Sequence, residues 1–279
     1  MKNILLVITL LISSVSFGQY YYNDIADAHT LGERFKNYIT QKVKTITATG
    51  YDDRGSRSTD FNEWQEVDAP NKILKISTRN GQLVKRQNYQ FDDQSRLQVI
   101  VDSAKDIRSD TRYSYDANGN IISIITTTKD SLNDFTQSIA HYYQYNTTGK
   151  PVKLWRVING ADSAEYRFST DEKGNVTDEQ LFRRGVAMDL IYYYYNDQNK
   201  VSDIVRYDKK TKKLLPTVMF EYDEAGRLIQ KMSVLSTNRP DYIIWRYIFN
   251  EKGLKTREAL FNKQKELTGR IEFAYTFEN

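Results

Sequence analysis

One seven-residue pattern recurs seven times along this chain. It runs aromatic, then Asp or Asn, two variable residues, usually Gly, and a long or basic residue leading into an aliphatic. The clearest copy is Tyr222-Asp223-Glu224-Ala225-Gly226-Arg227-Leu228. Phe91 to Leu97, Tyr115 to Ile121 and Tyr195 to Val201 follow it closely. Tyr145 to Val152, Thr170 to Val176 and Phe249 to Lys255 are more worn. The Gly position falls at 95, 119, 149, 174, 199, 226 and 253, so successive units are 24, 30, 25, 25, 27 and 27 residues long. A period of that size belongs to repeat architectures, and this constrains the fold more than any other feature of the chain.

Asp or Asn first and Gly fourth is the signature of a type I turn. The first side chain accepts from the turn amides, and the fourth residue takes the left-handed conformation that completes a bulged hairpin. Ser95 and Asn199 stand where Gly is usual. Asn tolerates left-handed geometry better than Ser, so the Ser95 turn is predicted to be the more strained.

Alternating aromatics lead into most turns, among them Tyr89 and Phe91, Tyr113 and Tyr115, Tyr143 and Tyr145, Tyr193 and Tyr195. Residues two apart share a strand face, so these pairs build one aromatic surface near one edge of a sheet. The aliphatic after each turn pairs back across the hairpin with the last aromatic. About 20 residues separate the turns, which is room for two strands and a second turn at the far edge. Asn80-Gly81 and Asn159-Gly160 are the strongest far-edge signals. The expectation is an all-β fold: an antiparallel up-and-down meander of tandem β-hairpin repeats. It has about 16–18 strands, rolled or closed into a soluble, barrel-like sheet.

Residues 1–18 read as a secretory signal peptide: Lys2 at the start, an apolar stretch from Ile4 to Ile12, and small residues Ser16 and Gly18 before a mature start at Gln19. Such a leader points to secretion or the periplasm. Nine apolar residues do not span a bilayer. The chain has no Cys, which excludes lipidation at a Cys, disulfides and thiol chemistry. Residues 19–42 form an N-terminal lead-in, either a short amphipathic helix over Asp24 to Lys42 or irregular chain. The β domain then occupies residues 43–279. Within it, residues 52–71 break the period and are expected as a long loop on the edge of the repeat turns, with Phe61 and Trp64 as exposed candidate ligand-binding aromatics.

At Tyr222 to Leu228 and its copies the chain resembles YD-repeat (Rhs-like repeat) proteins, over roughly residues 72–279. The resemblance implies antiparallel hairpins winding into a sheet or hollow shell. It departs from the large members in having few repeats and none of their Asp-Pro-x-Gly closing signature. It looks more like their small, secreted relatives, for which the resemblance implies a fold and little else.

Catalysis finds little support. The two His residues are His29 and His141, with His141 in a predicted strand, so zinc sites and nucleophile–His dyads have few donors. Asp92, Asp116 and Asp223 are accounted for as turn residues. Calcium at Asp52-Asp53 or Asp92-Asp93 lacks the dense ligand ladder it needs. No catalytic residue, metal or cofactor is therefore assigned. The remaining enzyme alternative is a glycan-acting carboxylate pair on the same sheet.

The charge balance, 40 Lys and Arg against 36 Asp and Glu, gives no case for nucleic acid. A lipid-facing barrel needs one apolar face on every strand. Glu258 and Arg257 lie on opposite faces of one strand, and Asp178 and Glu179 on opposite faces of another, so membrane insertion is not expected. What remains is a non-catalytic binding or scaffolding module for a glycan or a protein. Tyr142, Tyr192 and Tyr194, on the face opposite the repeat aromatics, are its surface candidates.

Overall fold

The computed structural model describes residues 19–208, 212–236 and 241–278. The leader expected at residues 1–18 and parts of two far turns lie outside them. The chain folds as a helical segment followed by eighteen strands. A π-helical turn (Tyr21–Ala26) runs directly into α1 (Asp27–Thr40). The first six strands are β1 (Val43–Asp52), β2 (Arg57–Asp68), β3 (Ile73–Asn80), β4 (Leu83–Phe91), β5 (Leu97–Ala104) and β6 (Ile107–Tyr115). Next come β7 (Ile121–Asp130), β8 (Phe135–Tyr145), β9 (Pro151–Ile158), β10 (Asp162–Thr170), β11 (Val176–Arg183) and β12 (Val186–Tyr195). The last six are β13 (Val201–Asp208), β14 (Lys213–Tyr222), β15 (Leu228–Ser236), β16 (Asp241–Phe249), β17 (Lys255–Phe261) and β18 (Leu267–Phe277).

Each strand pairs antiparallel with its neighbours in sequence, and β1 pairs with β18 from Val43 opposite Phe277 to Asp52 opposite Gly269. The meander is therefore a closed barrel. Closure gives every strand a partner on both sides, so no edge is left for other chains to pair with.

The repeat turns form as their chemistry dictates. Asp92 Oδ1 accepts the amides of Gln94 and Arg96, and Asp92 N–H donates to the Arg96 carbonyl. The same bonds recur at Asp116, Asn146, Asn196 and Asn250. Ser95 and Asn199 adopt φ of 60° and 63°, the left-handed geometry that Gly226 takes at 73°. Just past each turn the register shifts by one residue, and the last aromatic meets the returning side chain: Phe91 opposite Leu97, Tyr115 opposite Ile121, Tyr222 opposite Leu228.

Two repeat features connect one hairpin to the next. The Tyr115 hydroxyl donates to the Leu97 carbonyl of the preceding unit, Tyr145 to Ile121, Tyr195 to Val176 and Tyr222 to Val201. This explains why the position favours Tyr over Phe. The long residue after Gly also reaches in two directions. Arg96 and Arg227 each bind their own turn aspartate through Nε, and each lays its guanidinium over the next unit's aromatic, Tyr115 or Phe249.

The expected loop at residues 52–71 is instead mostly strand. Asp52 to Gly55 makes a tight turn with the repeat geometry, and β2 pairs along its length with β1 and β3. This turn lies on the edge opposite the repeat turns. The strand was hidden because its inward positions include Glu63 and Gln65, which erases the two-fold alternation. Phe61 is correspondingly buried, 4% exposed, against Ala48 and Ile271. It is a packing residue and not the exposed aromatic expected.

Eighteen strands about 4.8 Å apart make a wall about 86 Å round, or about 27 Å across before tilt. Side chains from opposite walls do not meet over that span, so where a barrel of this size is not left as a water-filled channel it needs other material inside. The N-terminal segment supplies it.

Candidate functional site: the plugged lumen and the outer-wall aromatics

Residues 19–40 enter the lumen beneath the repeat turns and contact strands around most of its circumference. The Tyr20 ring meets His141 of β8 and Tyr166 of β10 edge-on, Tyr21 meets Tyr193 of β12, and Tyr22 packs on Phe220 of β14. Farther along, Phe35 stacks on Phe91 with centroids 4.1 Å apart, and Tyr38 lies near Tyr275 of β18. Asn37 Nδ2 donates to the carbonyls of Lys252 and Gly253, tying the helix to a repeat turn. The aromatic surface that the repeats build is therefore the bed of this plug. Ala28, Phe35 and Tyr38 belong to one continuous core with Leu74, Phe91, Tyr143, Tyr166 and Tyr193.

The plug brings polar groups into this core, and the wall meets them. A helix begins with amides that have no partner inside it. Here the cap comes from β11: Glu179 accepts the N–H of Tyr20 through Oε1, and the N–H of Tyr21 and the Tyr193 hydroxyl through Oε2. Burial pushes the Glu179 carboxyl up to about 7, against these three hydrogen bonds, which favour the charge. Asp24 Oδ2 accepts from the Tyr143 hydroxyl at 2.7 Å and stands 2.6 Å from His141 Nδ1. Burial likewise raises Asp27 to about 6. Lys231 of β15 opposes that rise, and burial lowers the Lys231 ammonium in turn.

These groups form three polar anchors around a half-buried helix start. Tyr143 and Tyr193, wholly enclosed beside them, have hydroxyls pushed well above their ordinary range by burial. Glu179 and Asp24 use their carboxylate oxygens in these contacts. Their geometry positions the plug.

Below the plug, toward the far edge, the lumen wall turns polar. Lys85 pairs with Asp102 at 2.7 Å, Thr78 Oγ1 donates to Glu63, and the hydroxyls of Thr111 and Thr126 bond across β6 and β7. These side chains are mostly half-buried, whereas Tyr143, Tyr166, Glu179 and Tyr193 at plug level are buried.

Outside, the aromatics fall into separate places. Tyr142 is 44% exposed and lies opposite Trp155 of β9, with Lys153 Nζ over that indole. Tyr194 is 46% exposed and Tyr192 half-buried, both on the outer face of β12. Three strands lie between them and Tyr142, four inter-strand spacings or about 19 Å along the wall. The fold thus keeps all three on the outer face, and does not gather them into one patch. Trp64, 41% exposed, stands on the outer face of β2 beside a groove of about 450 Å³. Sequence reasoning found Trp64 by its surroundings alone; the groove beside it depends on chain brought near from β1 and from Glu278.

The outer wall also carries charge at mid-strand. Glu165 binds both Lys153 and Arg167, and Glu272 binds both Arg257 and Arg270. No helix among the described residues is long and apolar enough to cross a membrane, and no cluster of three or more His, Asp or Glu among them is placed to hold a metal ion.

No protein-family description matches the chain, and no curated protein matches it. Among solved structures, a porin-like protein from Bacteroides uniformis ATCC 8492 aligns over 85% of this chain and 97% of its own, at 9% identity and a TM-score of 0.39. A TcdB2-TccC3-Cdc42 complex aligns over 77% of this chain and 16% of its own, at 12% identity and 0.31. A DUF1329 family protein from Desulfovibrio piger ATCC 29098 aligns over 90% and 91%, at 9% identity and 0.24. At these scores the likenesses carry no inference about what this chain binds or does.

Proposed function

We propose that this is an exported, non-catalytic β-repeat protein of the YD type that binds or scaffolds through its outer wall, in the periplasm or outside the cell. One contrast supports the reading above all others. The plug-level carboxylates Glu179 and Asp24 are engaged in anchoring the plug, while aromatics beyond the needs of the repeat are presented outward at Tyr142, Tyr194 and Trp64. Amphipathic rings on a rigid wall suit sugar faces or protein partners.

The ion-pair networks centred on Glu165 and Glu272 put charge where a lipid-facing barrel needs a continuous apolar band, which supports a wall bathed in water on both sides. The leader at residues 1–18 supports export.

The test combines location and retention. The mature protein should begin at Gln19 and be released without detergent. Immobilised, it should retain a glycan or protein partner that the folded triple variant Tyr142→Ala, Tyr192→Ala, Tyr194→Ala or the single variant Trp64→Ala releases. Recovery only with detergent, or equal retention by all variants, would contradict the reading.

A further inference from the structure

We infer that the groove beside Trp64 is a site for a neutral sugar ring, stacked on the indole and held by the polar groups around it. This rests on the binding reading above and deepens it by naming the place and the ligand chemistry.

The platform comes from the strand register. On the outer face Trp64 lies directly opposite Thr47 of β1 and Ser77 of β3. Both directly opposite neighbours are short and leave the indole open, and the ring keeps 41% of its surface. An exposed aromatic on a rigid strand, with its rotamer space limited by flanking strands, is a low-entropy surface for a flat apolar face. A pyranose has such a face in its axial C–H bonds.

A pyranose also needs donors and acceptors around its edge, and the groove provides them. Its polar lining includes Lys44, Thr45, Glu66, Asp68 and Glu278. Lys75 Nζ lies 3.1 Å from Glu66 and 3.9 Å from Asp68, which holds both carboxylates in place. Asp68 also accepts from the Asn71 side chain. The groove, about 450 Å³, is open to solvent, so it would cradle one ring against the indole rather than enclose a ligand.

Two further observations narrow the ligand. The groove is lined by three carboxylates and one lysine, Lys44, so a sugar bearing its own carboxylate or sulfate meets like charge. An extended peptide binds best by adding a strand to a free sheet edge, and closure of β1 on β18 leaves none here. A neutral or weakly basic saccharide meets both conditions.

The test is calorimetric titration of the full mature protein with cello-, malto- and chito-oligosaccharides. Oligogalacturonate serves as the anionic control and oligolysine as the cationic one. At least one neutral series should bind. Trp64→Ala should weaken that binding by about tenfold or more, and Trp64→Phe by less. Ser77→Tyr, which keeps Trp64 but places a second ring beside it, should also weaken binding, so the inference does not depend on a single variant folding well.

Failure of every neutral series to bind overturns the inference. So does sugar binding that neither Trp64→Ala nor Ser77→Tyr alters, and so does binding of oligolysine alone. In each case, partner retention that depends on Tyr142 or Tyr194 would leave the broader binding reading standing.

Discussion

Gly32 of the plug helix faces the Ser95 carbonyl so closely that a Cβ on Gly32 would stand 2.6 Å from that oxygen. The two residues define where the plug meets a repeat turn, and Ser95 itself sits at a φ of 60° where most units have Gly. Gly32→Ala would gain about 1 kcal/mol of helix propensity. It must also displace a backbone carbonyl, a misfit of the kind that costs about 1–3 kcal/mol. The net expectation is destabilisation by up to about 2 kcal/mol, read as a lower urea midpoint. Ser95→Gly, which relieves left-handed strain, should raise that midpoint.

Gly226 at φ +73° tests the turn assignment away from the plug. Gly226→Val should destabilise by about 1–2 kcal/mol, because a β-branched residue resists left-handed geometry. Gln94→Val, at a variable turn position, should cost far less. Equal melting shifts for the two would count against the assignment.

Stability should fall as pH rises through the plug carboxyls. Burial raises Glu179 from 4.5 to about 7, and Asp27 from 3.8 to about 6. A raised acid binds more protons in the folded state. Its contribution is therefore whole below the unfolded pKa and lost as pH passes through the folded one. For Glu179 the change is on the order of 3 kcal/mol across that window. The turns act oppositely at lower pH: the Asn120 side chain and backbone amides hold Asp116 below its usual range, so its contribution is lost as pH falls through that depressed value. Urea melts between pH 4 and 8 should show the plug effect, and Glu179→Gln should flatten it. An unchanged slope in that variant would rule out Glu179 as its source.

The interlocking tyrosines yield a graded test. Tyr222→Phe removes the hydroxyl that donates to the Val201 carbonyl at 2.9 Å and leaves the ring in place. The expected loss is about 1 kcal/mol by equilibrium unfolding. Phe249, which has no hydroxyl in the equivalent strand, should lose on Phe249→Leu only its packing and the Arg227 guanidinium over its ring.

The parts of this fold that were legible in the sequence are the local ones. An Asp, a Gly and an aliphatic within seven residues determine a hairpin wherever it sits, so turns and strands could be placed directly. The Tyr115–Leu97 and Tyr222–Val201 bonds span 18 and 21 residues, and no single unit shows that its Tyr has an acceptor in the previous one. The plug was less legible still. Its helix has no Ser, Thr or Asp cap at its start, because its cap is Glu179, 159 residues away from Tyr20. Asp52 misled because its turn has repeat chemistry on the opposite edge. Of the candidate site, Tyr142, Tyr192 and Tyr194 could be singled out by parity; Trp64, expected as a loop aromatic, stands instead on strand β2, and the groove beside it needed the tertiary approach of Lys44, Pro70 and Glu278.

A barrel closed around its own N-terminal segment is the central claim, and native-state hydrogen exchange tests it most directly. The amides of Tyr20 and Tyr21, bonded to Glu179 inside the lumen, should exchange as slowly as those of β1 and β18, because all of them require the barrel to open. Fast exchange over residues 20–40 with the strands still protected would contradict the account, since the segment would then lie outside the wall.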